Sequence, residues 1–122
     1  MTLQVLQDTF AVCQLTNTTQ ADLSVPYTFL SVTDDEISLV CPTHCVPKGT
    51  LQVEHGWLGC RIPDTLDFAL VGILAKIATL LAQAGISIFA VSTYNTDYIF
   101  MKSVSFTQGL DVLQRNGYLI VY

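Results

Sequence analysis

Basic residues are scarce in this 122-residue chain. Lys48, Arg61, Lys76, Lys102 and Arg115 stand against ten acidic residues, for a net charge of −5. Five scattered cations make no stripe that could displace counterions from a phosphate backbone, so no nucleic-acid partner is expected. A long apolar run is also missing. The one candidate, residues 68–84, is interrupted by Gly72, Lys76, Thr79 and Gln83, and falls short of the roughly 20 apolar residues a spanning helix needs. No membrane association is expected. Gly72 and Gly85 stand alone and form no phosphate-cradling loop, so no cofactor is expected either. The opening Met1-Thr-Leu-Gln-Val has no basic n-region and no cleavage-like site. The expectation is a soluble, cytoplasmic protein.

Cysteine is limited to Cys13, Cys41, Cys45 and Cys60. Without secretory features, four thiols do not predict a disulfide framework. Cys13 and Cys60 lie in apolar strand-like runs, where free cysteine packs as a small hydrophobe. Cys41, His44, Cys45, His55 and Cys60 invite reading as a metal or thiol-dependent catalytic cluster. The Cys-x-x-His-Cys spacing lacks the paired form of a zinc site, and adjacent residues on an irregular stretch, with no third orienting group, make a poor catalytic set. No metal ligands and no catalytic residues are assigned.

What the chain has in excess is apolar surface: 51% of residues are hydrophobic and the mean hydropathy is +0.49. That is more than one small core needs, and it favours a helix packed on both sides or a dimer interface. Residues 9–15, 27–32, 36–41, 56–62, 86–92, 97–102 and 118–122 read as strands, with turn signals between them. Residues 16–22 read as a turn with a short helix, and 42–55, with Pro42, Pro47 and Gly49, as irregular. Residues 68–84 read as a helix. Its polar stripe is Gly72, Lys76, Thr79 and Gln83, flanked by Val71, Leu74, Ala78, Leu81 on one side and Leu70, Ile73, Ile77, Leu80 on the other. Gly85 suits the left-handed residue that ends a helix. Ser105 and Gln108 have capping-box spacing for a second helix, with Phe106, Leu110 and Leu113 on one face and Asn116-Gly117 as its stop.

From Gly56 onward the order is strand, helix, strand, strand, helix, strand. This predicts an α/β, ferredoxin-like βαββαβ arrangement with an antiparallel sheet and both helices on one face. The first half is a weaker copy: FLSVTDDEISLV, residues 29–40, parallels FAVSTYNTDYIF, residues 89–100, each a strand, a turn of hydroxyls and acids, and a strand. The expected division is a degenerate unit over residues 1–55 and a second unit over 56–122, two intertwined copies within one chain. The turn at residues 92–97 gathers hydroxyls, an amide and a carboxylate where only 12% of all residues are charged. Polar turns are usually solvated connectors, and Asp34, Asp35 and Glu36 are most simply that.

The runs LDF at 66–68, GILA at 72–75 and GISIFAVSTYNTDY at 85–98 resemble the signature of the ACT family. The nearest branch resembles small tandem ACT-like proteins and the cytosolic arginine sensors of the TOR pathway, and more distantly the regulatory tail of aspartate kinases. FAVCQL at 10–15 and TDDEISLVCP at 33–42 are similar to the same branch. The resemblance implies a non-catalytic regulatory or sensor module that binds a small molecule, generally an amino acid, at an interface between ACT-like units, commonly in a homodimer. Carried over residue by residue, it implies ligand contacts from Gly72 on the helix and from Ser92, Thr93, Asn95 and Asp97 on the turn. The arginine-sensor branch has an acidic residue near the helix start where this chain has Leu70, so the resemblance does not specify a basic ligand. Two rival readings are a ligand-free interaction module assembling through the helix at 68–84, and a small metal- or thiol-dependent enzyme built on Cys41, His44, Cys45 and Cys60.

Overall fold

Strand β1 (Thr2–Leu15) opens the chain and is followed by β2 (Phe29–Val32), β3 (Ile37–Pro42) and β4 (Gln52–Arg61). Helix α1 (Ile73–Gln83), β5 (Ile88–Ser92), β6 (Asp97–Lys102), helix α2 (Ser103–Arg115) and β7 (Leu119–Val121) complete it. This computed structural model describes residues 1–67 and 69–122. The described chain divides into two units, Met1–Gln7 with Leu58–Tyr122, and Asp8–Trp57. β1 and β4 each contribute one end to both.

The unit of Met1–Gln7 and Leu58–Tyr122 has the expected ferredoxin-like order of two helices and four strands from β4 to β7. Its strand order is β5-β6-β4-β1, with β7 paired to β1. β5 and β6 are antiparallel, with Ser92 opposite Asp97 and Ile88 opposite Met101. β1 and β7 are parallel, Thr2 opposite Leu119. The N-terminal strand therefore stands between β4 and β7, in an antiparallel sheet that includes this parallel pair. The core gathers Leu3, Cys60, Ile62, Ile99 and Met101 from strands and loop with Ile77, Leu81, Phe106, Leu110 and Leu113 from the two helices. Both helices thus bury their apolar faces in one core. Two close approaches need the missing side chain of glycine: a Cβ on Gly59 would lie 2.8 Å from the Phe100 ring, and one on Gly109 would overlap the Met101 sulfur.

α1 departs from the expected 68–84. Phe68 lies outside the described residues, and the helix begins only at Ile73, because Gly72 sits in the left-handed region at φ 79° and cannot propagate a right-handed turn backwards. Leu70 and Val71, expected on its two apolar stripes, precede it and are 54% and 90% exposed. Within the helix, Ile77 and Leu81 are buried and Ile73, Leu74 and Leu80 pack on the core, while Ala75, Lys76, Thr79, Ala82 and Gln83 face solvent. Stripes 100° apart merge into one broad face, so the pattern that suggested two covered sides describes one. The C-terminus closes as anticipated: Gly85 has φ 74°, its N–H donates to the Ala82 carbonyl at 3.0 Å, and the Ile86 N–H donates to Leu81 at 3.0 Å. α2 closes the same way through Gly117, with the Tyr118 N–H donating to Leu113 at 3.1 Å. It begins at Ser103, directly out of β6 and without a side-chain cap, so Ser105 and Gln108 lie inside the helix and form no capping box.

The unit of Asp8–Trp57 runs strand, 3-10 turn (Thr18–Gln20), strand, strand, 3-10 turn (Thr43–Cys45), strand, in the order β2-β3-β1-β4. Its hairpin repeats the register of the other unit sixty residues earlier. Phe29 pairs with Val40 and Val32 with Ile37; Phe89 pairs with Phe100 and Ser92 with Asp97. The turns share their hydrogen bonds too. Thr33 N–H donates to Glu36 at 3.0 Å, as Thr93 N–H donates to Thr96 at 2.8 Å, and each threonine hydroxyl donates to the same carbonyl. A single 3-10 turn stands where each helix stands in the other unit. Asn17 and Gln20 form a capping box on the first of these turns, with the Thr19 N–H donating to Asn17 Oδ1.

Candidate functional site

The first turn of a helix leaves N–H groups without intrahelical partners. In α1 the first intrahelical bond runs from the Lys76 N–H to the Gly72 carbonyl at 2.9 Å. Gly72, the N-cap, has no side chain to accept from the N–H groups ahead of it, and no acidic residue lies in the first turn. The partial positive charge of this end is therefore left for something else to satisfy.

Opposite it stands the β5–β6 turn. The Thr93 hydroxyl donates to the Thr96 carbonyl at 3.0 Å and accepts from the Thr96 N–H at 3.3 Å. Thr96, buried, donates its hydroxyl to the Ile62 carbonyl at 2.8 Å, and the Leu66 N–H donates to the Asn95 carbonyl at 2.7 Å. These last two bonds tie the turn to the segment that leads into α1. The Ser92 hydroxyl donates to Asp97 Oδ1 at 2.6 Å, which orients the carboxylate and occupies one of its oxygens. A buried tether therefore fixes the turn, and a charged group stands at its half-exposed edge.

Between turn and helix lies a cleft of about 330 Å³. Gly72, Ser92, Thr93, Asn95 and Asp97, the five residues singled out from the sequence, all line it. So do Leu66, Asp67, Leu70, Ile73, Leu74, Ala75, Tyr94 and Thr96. Asp67 is the consequential addition. Its Oδ1 accepts from the Ala69 N–H at 2.8 Å, a local turn bond that single-sequence reading could have found from Asp two residues before a helix approach. The described lining thus carries two carboxylates and no cation, with apolar walls from Leu66, Leu70, Ile73 and Leu74.

The cysteine and histidine residues assemble nothing comparable. Among the described residues no group of three or more His, Cys, Asp or Glu is placed to hold a metal ion. All four cysteines are free thiols. Burial pushes the Cys60 thiol up to about 12. Burial, then the neighbouring thiols of Cys13 and Cys45, pushes Cys41 up to about 12. A thiol held protonated at neutral pH is not an activated nucleophile. No described helix is long and apolar enough to cross a membrane.

The family model for the ACT domain matches residues 52–115. Among solved structures, a protein from Agobacterium tumefaciens is 26% identical, with a TM-score of 0.87 over 98% of this chain and 91% of that one. A Vibrio cholerae protein of unknown function, described as a possible transport protein, is 20% identical with a TM-score of 0.75, over 91% of this chain and 85% of that one. The aspartate kinase of Clostridium acetobutylicum, an allosteric enzyme, is 12% identical with a TM-score of 0.63; 89% of this chain covers 33% of it. No curated protein sequence matches the chain.

Proposed function

The chain belongs to the ACT domain family, a family of ligand-binding regulatory modules, and from that premise we propose that the cleft between α1 and the β5–β6 turn binds a free amino acid. The observation that carries the reading is the pairing, in one cleft, of an uncapped helix start with a carboxylate that has only one oxygen engaged. An α-amino acid presents a carboxylate and an ammonium a few ångströms apart. The N–H groups of the first turn of α1, past Gly72, receive the carboxylate. Asp97 receives the ammonium, with Ser92, Thr93 and Asn95 supplying hydroxyl and amide groups around it. Gly72 lets the ligand approach the backbone without a Cβ in the way; nothing lies within 4 Å of where one would stand. The apolar walls take the side chain.

Binding here is regulatory and not catalytic. The cleft offers no histidine or cysteine to act as base or nucleophile, and the buried thiols are held in their inert form. The same reading treats residues 1–55 as a degenerate ACT-like unit beside the ACT domain of 56–122, and the shared hairpin register supports it. It also treats the protein as cytoplasmic, and as a homodimer because Leu70, Val71 and Tyr94, beside the cleft, are exposed and a second copy over them would shield the ligand. A thermal-shift screen of the twenty natural amino acids, followed by calorimetry on any that raise the melting temperature, tests the reading. At a concentration about 100 times the dissociation constant, the right ligand stabilises the fold by about 2.7 kcal/mol. If no amino acid moves the melt while a protein partner co-purifies, the exposed surface serves assembly and the cleft is not a ligand site.

A further inference from the structure

A second cavity, of about 230 Å³, lies on the other side of the α1 start, lined by Met1, Val71, Gly72, Ile73, Lys76, Asn116, Gly117 and Tyr118. Its chemistry is the reverse of the first cleft. It has one cationic side chain and no side-chain carboxylate, in a chain whose net charge is −5. Lys76 is exposed and is the one charged residue of α1, so the helix offers it no acidic partner three or four positions away. The ion pair of Arg115 with Asp111, at 2.9 Å, runs along α2 and does not include it. The Asn116 amide nitrogen is committed to the Val112 carbonyl at 2.8 Å. Gly72 and Gly117 present bare backbone, and a Cβ on either would meet nothing within 4 Å. The remaining walls, Met1, Val71 and Ile73, are apolar.

We propose that this cavity is a second ligand site, for a small aliphatic carboxylate held by Lys76 with its hydrocarbon body against Met1, Val71 and Ile73. Lys76 supplies the charge that a carboxylate head needs, and the apolar walls suit a hydrocarbon body, which inorganic phosphate lacks. The volume suits a molecule of a few carbon atoms beside its carboxylate, on the scale of about 30 Å³ per water-sized group. Tyr118, which burial keeps neutral, completes the lining. The two sites share Gly72 and Ile73, so an occupant here touches the same backbone that lines the first cleft.

The test uses the full chain with an untagged N-terminus, labelled for amide-resolved NMR, and titrates 3-methylbutanoate against its neutral counterpart 3-methylbutanamide. The carboxylate is expected to shift the amides of Lys76, Asn116, Gly117 and Tyr118, and the amide to leave them in place. Lys76→Gln should weaken binding about tenfold or more, and Lys76→Arg should keep it within a few fold, as expected for a charge-assisted bond. Equal response to both probes, unchanged affinity in Lys76→Gln, shifts confined to residues 92–97, or no response up to tens of millimolar each overturns the proposal. Whether amino acids bind the first cleft is read separately, at Asp97, so either site can fail alone.

Discussion

Asp97 faces two demands at once: it anchors Ser92 across the end of a hairpin and, on the proposed reading, it holds a ligand ammonium. The two can be separated by substitution. Asp97→Ala removes one exposed bond, worth about 0.5–1.5 kcal/mol at most, so the unliganded melt should stay within a few degrees of the parent. Ligand affinity should fall by about 1.5–3 kcal/mol, the cost of an unmet charged partner. Calorimetry gives the affinity and a thermal melt gives the stability; unchanged affinity would make the residue structural. Cys60 carries a different test. Its thiol is raised from 9.0 to about 12 in the fold by burial. Between those values the unfolded chain loses a proton that the folded chain keeps, so the stability linked to this group is complete below pH 9 and declines as pH rises towards 12. The slope is about 1.4 kcal/mol per pH unit for one such thiol. Denaturant midpoints measured on either side of pH 9 should show the decline. Cys60→Ala should flatten it in part, since Cys41 is raised in the same direction.

At the scale of elements, the start of α1 is where the residue pattern and the folded chain part company, and it is also where the cleft forms. Leu70 and Val71 continue the apolar periodicity, and periodicity alone cannot register that Gly72 turns left-handed and stops the helix short of them. β1 was half legible for a related reason. Leu3 and Leu6 are both buried, yet three positions apart they point to opposite faces of a strand, so no alternation announces residues 2–8. The hairpin at 88–102 was legible because β-branched and aromatic runs flank a polar turn, and five residues named there or on α1 meet in one cleft. The bonds that set the turn, from Thr96 to Ile62 and from Leu66 to Asn95, join segments about thirty residues apart and leave no local trace. Gly72 and Gly85 offer a matched pair for testing the element. Both have positive φ and open space where an added methyl group would stand, so alanine at either costs the backbone about 1–2 kcal/mol. Gly72→Ala should also lose ligand affinity, whereas Gly85→Ala, outside both cavities, should keep it. Equal affinities by calorimetry would remove Gly72 from the site.

For the whole molecule, the repeat raises the question of how many ligands one chain holds. The two hairpins share register and turn hydrogen bonds, so each hairpin position of the proposed site has a counterpart sixty residues earlier. The counterpart of Asp97 is Ile37 and that of Ser92 is Val32, which removes the carboxylate and its orienting hydroxyl. The counterpart of α1 is the 3-10 turn Thr18–Gln20, which carries a capping box where α1 has none: Asn17 Oδ1 accepts from the Thr19 N–H at 3.0 Å, and Gln20 Oε1 accepts from the Thr16 and Asn17 N–H groups at 2.8 and 3.1 Å. A start that caps itself leaves fewer donors for a ligand carboxylate. On the proposed reading of the first half as a degenerate copy, it lacks the site's carboxylate and offers fewer free donors, and calorimetry should give one amino acid per chain. Light scattering on the same samples, across a range of protein concentrations, fixes the number of chains; the proposed homodimer then holds two ligands. Two ligands per chain would mean that the first copy still binds through groups other than these. A ratio of one per dimer would place a single ligand across a two-fold axis, and Asp97 of each copy would then face the same ammonium. In that last case Asp97→Ala should abolish binding outright instead of weakening it, so the stoichiometry and the substitution must agree.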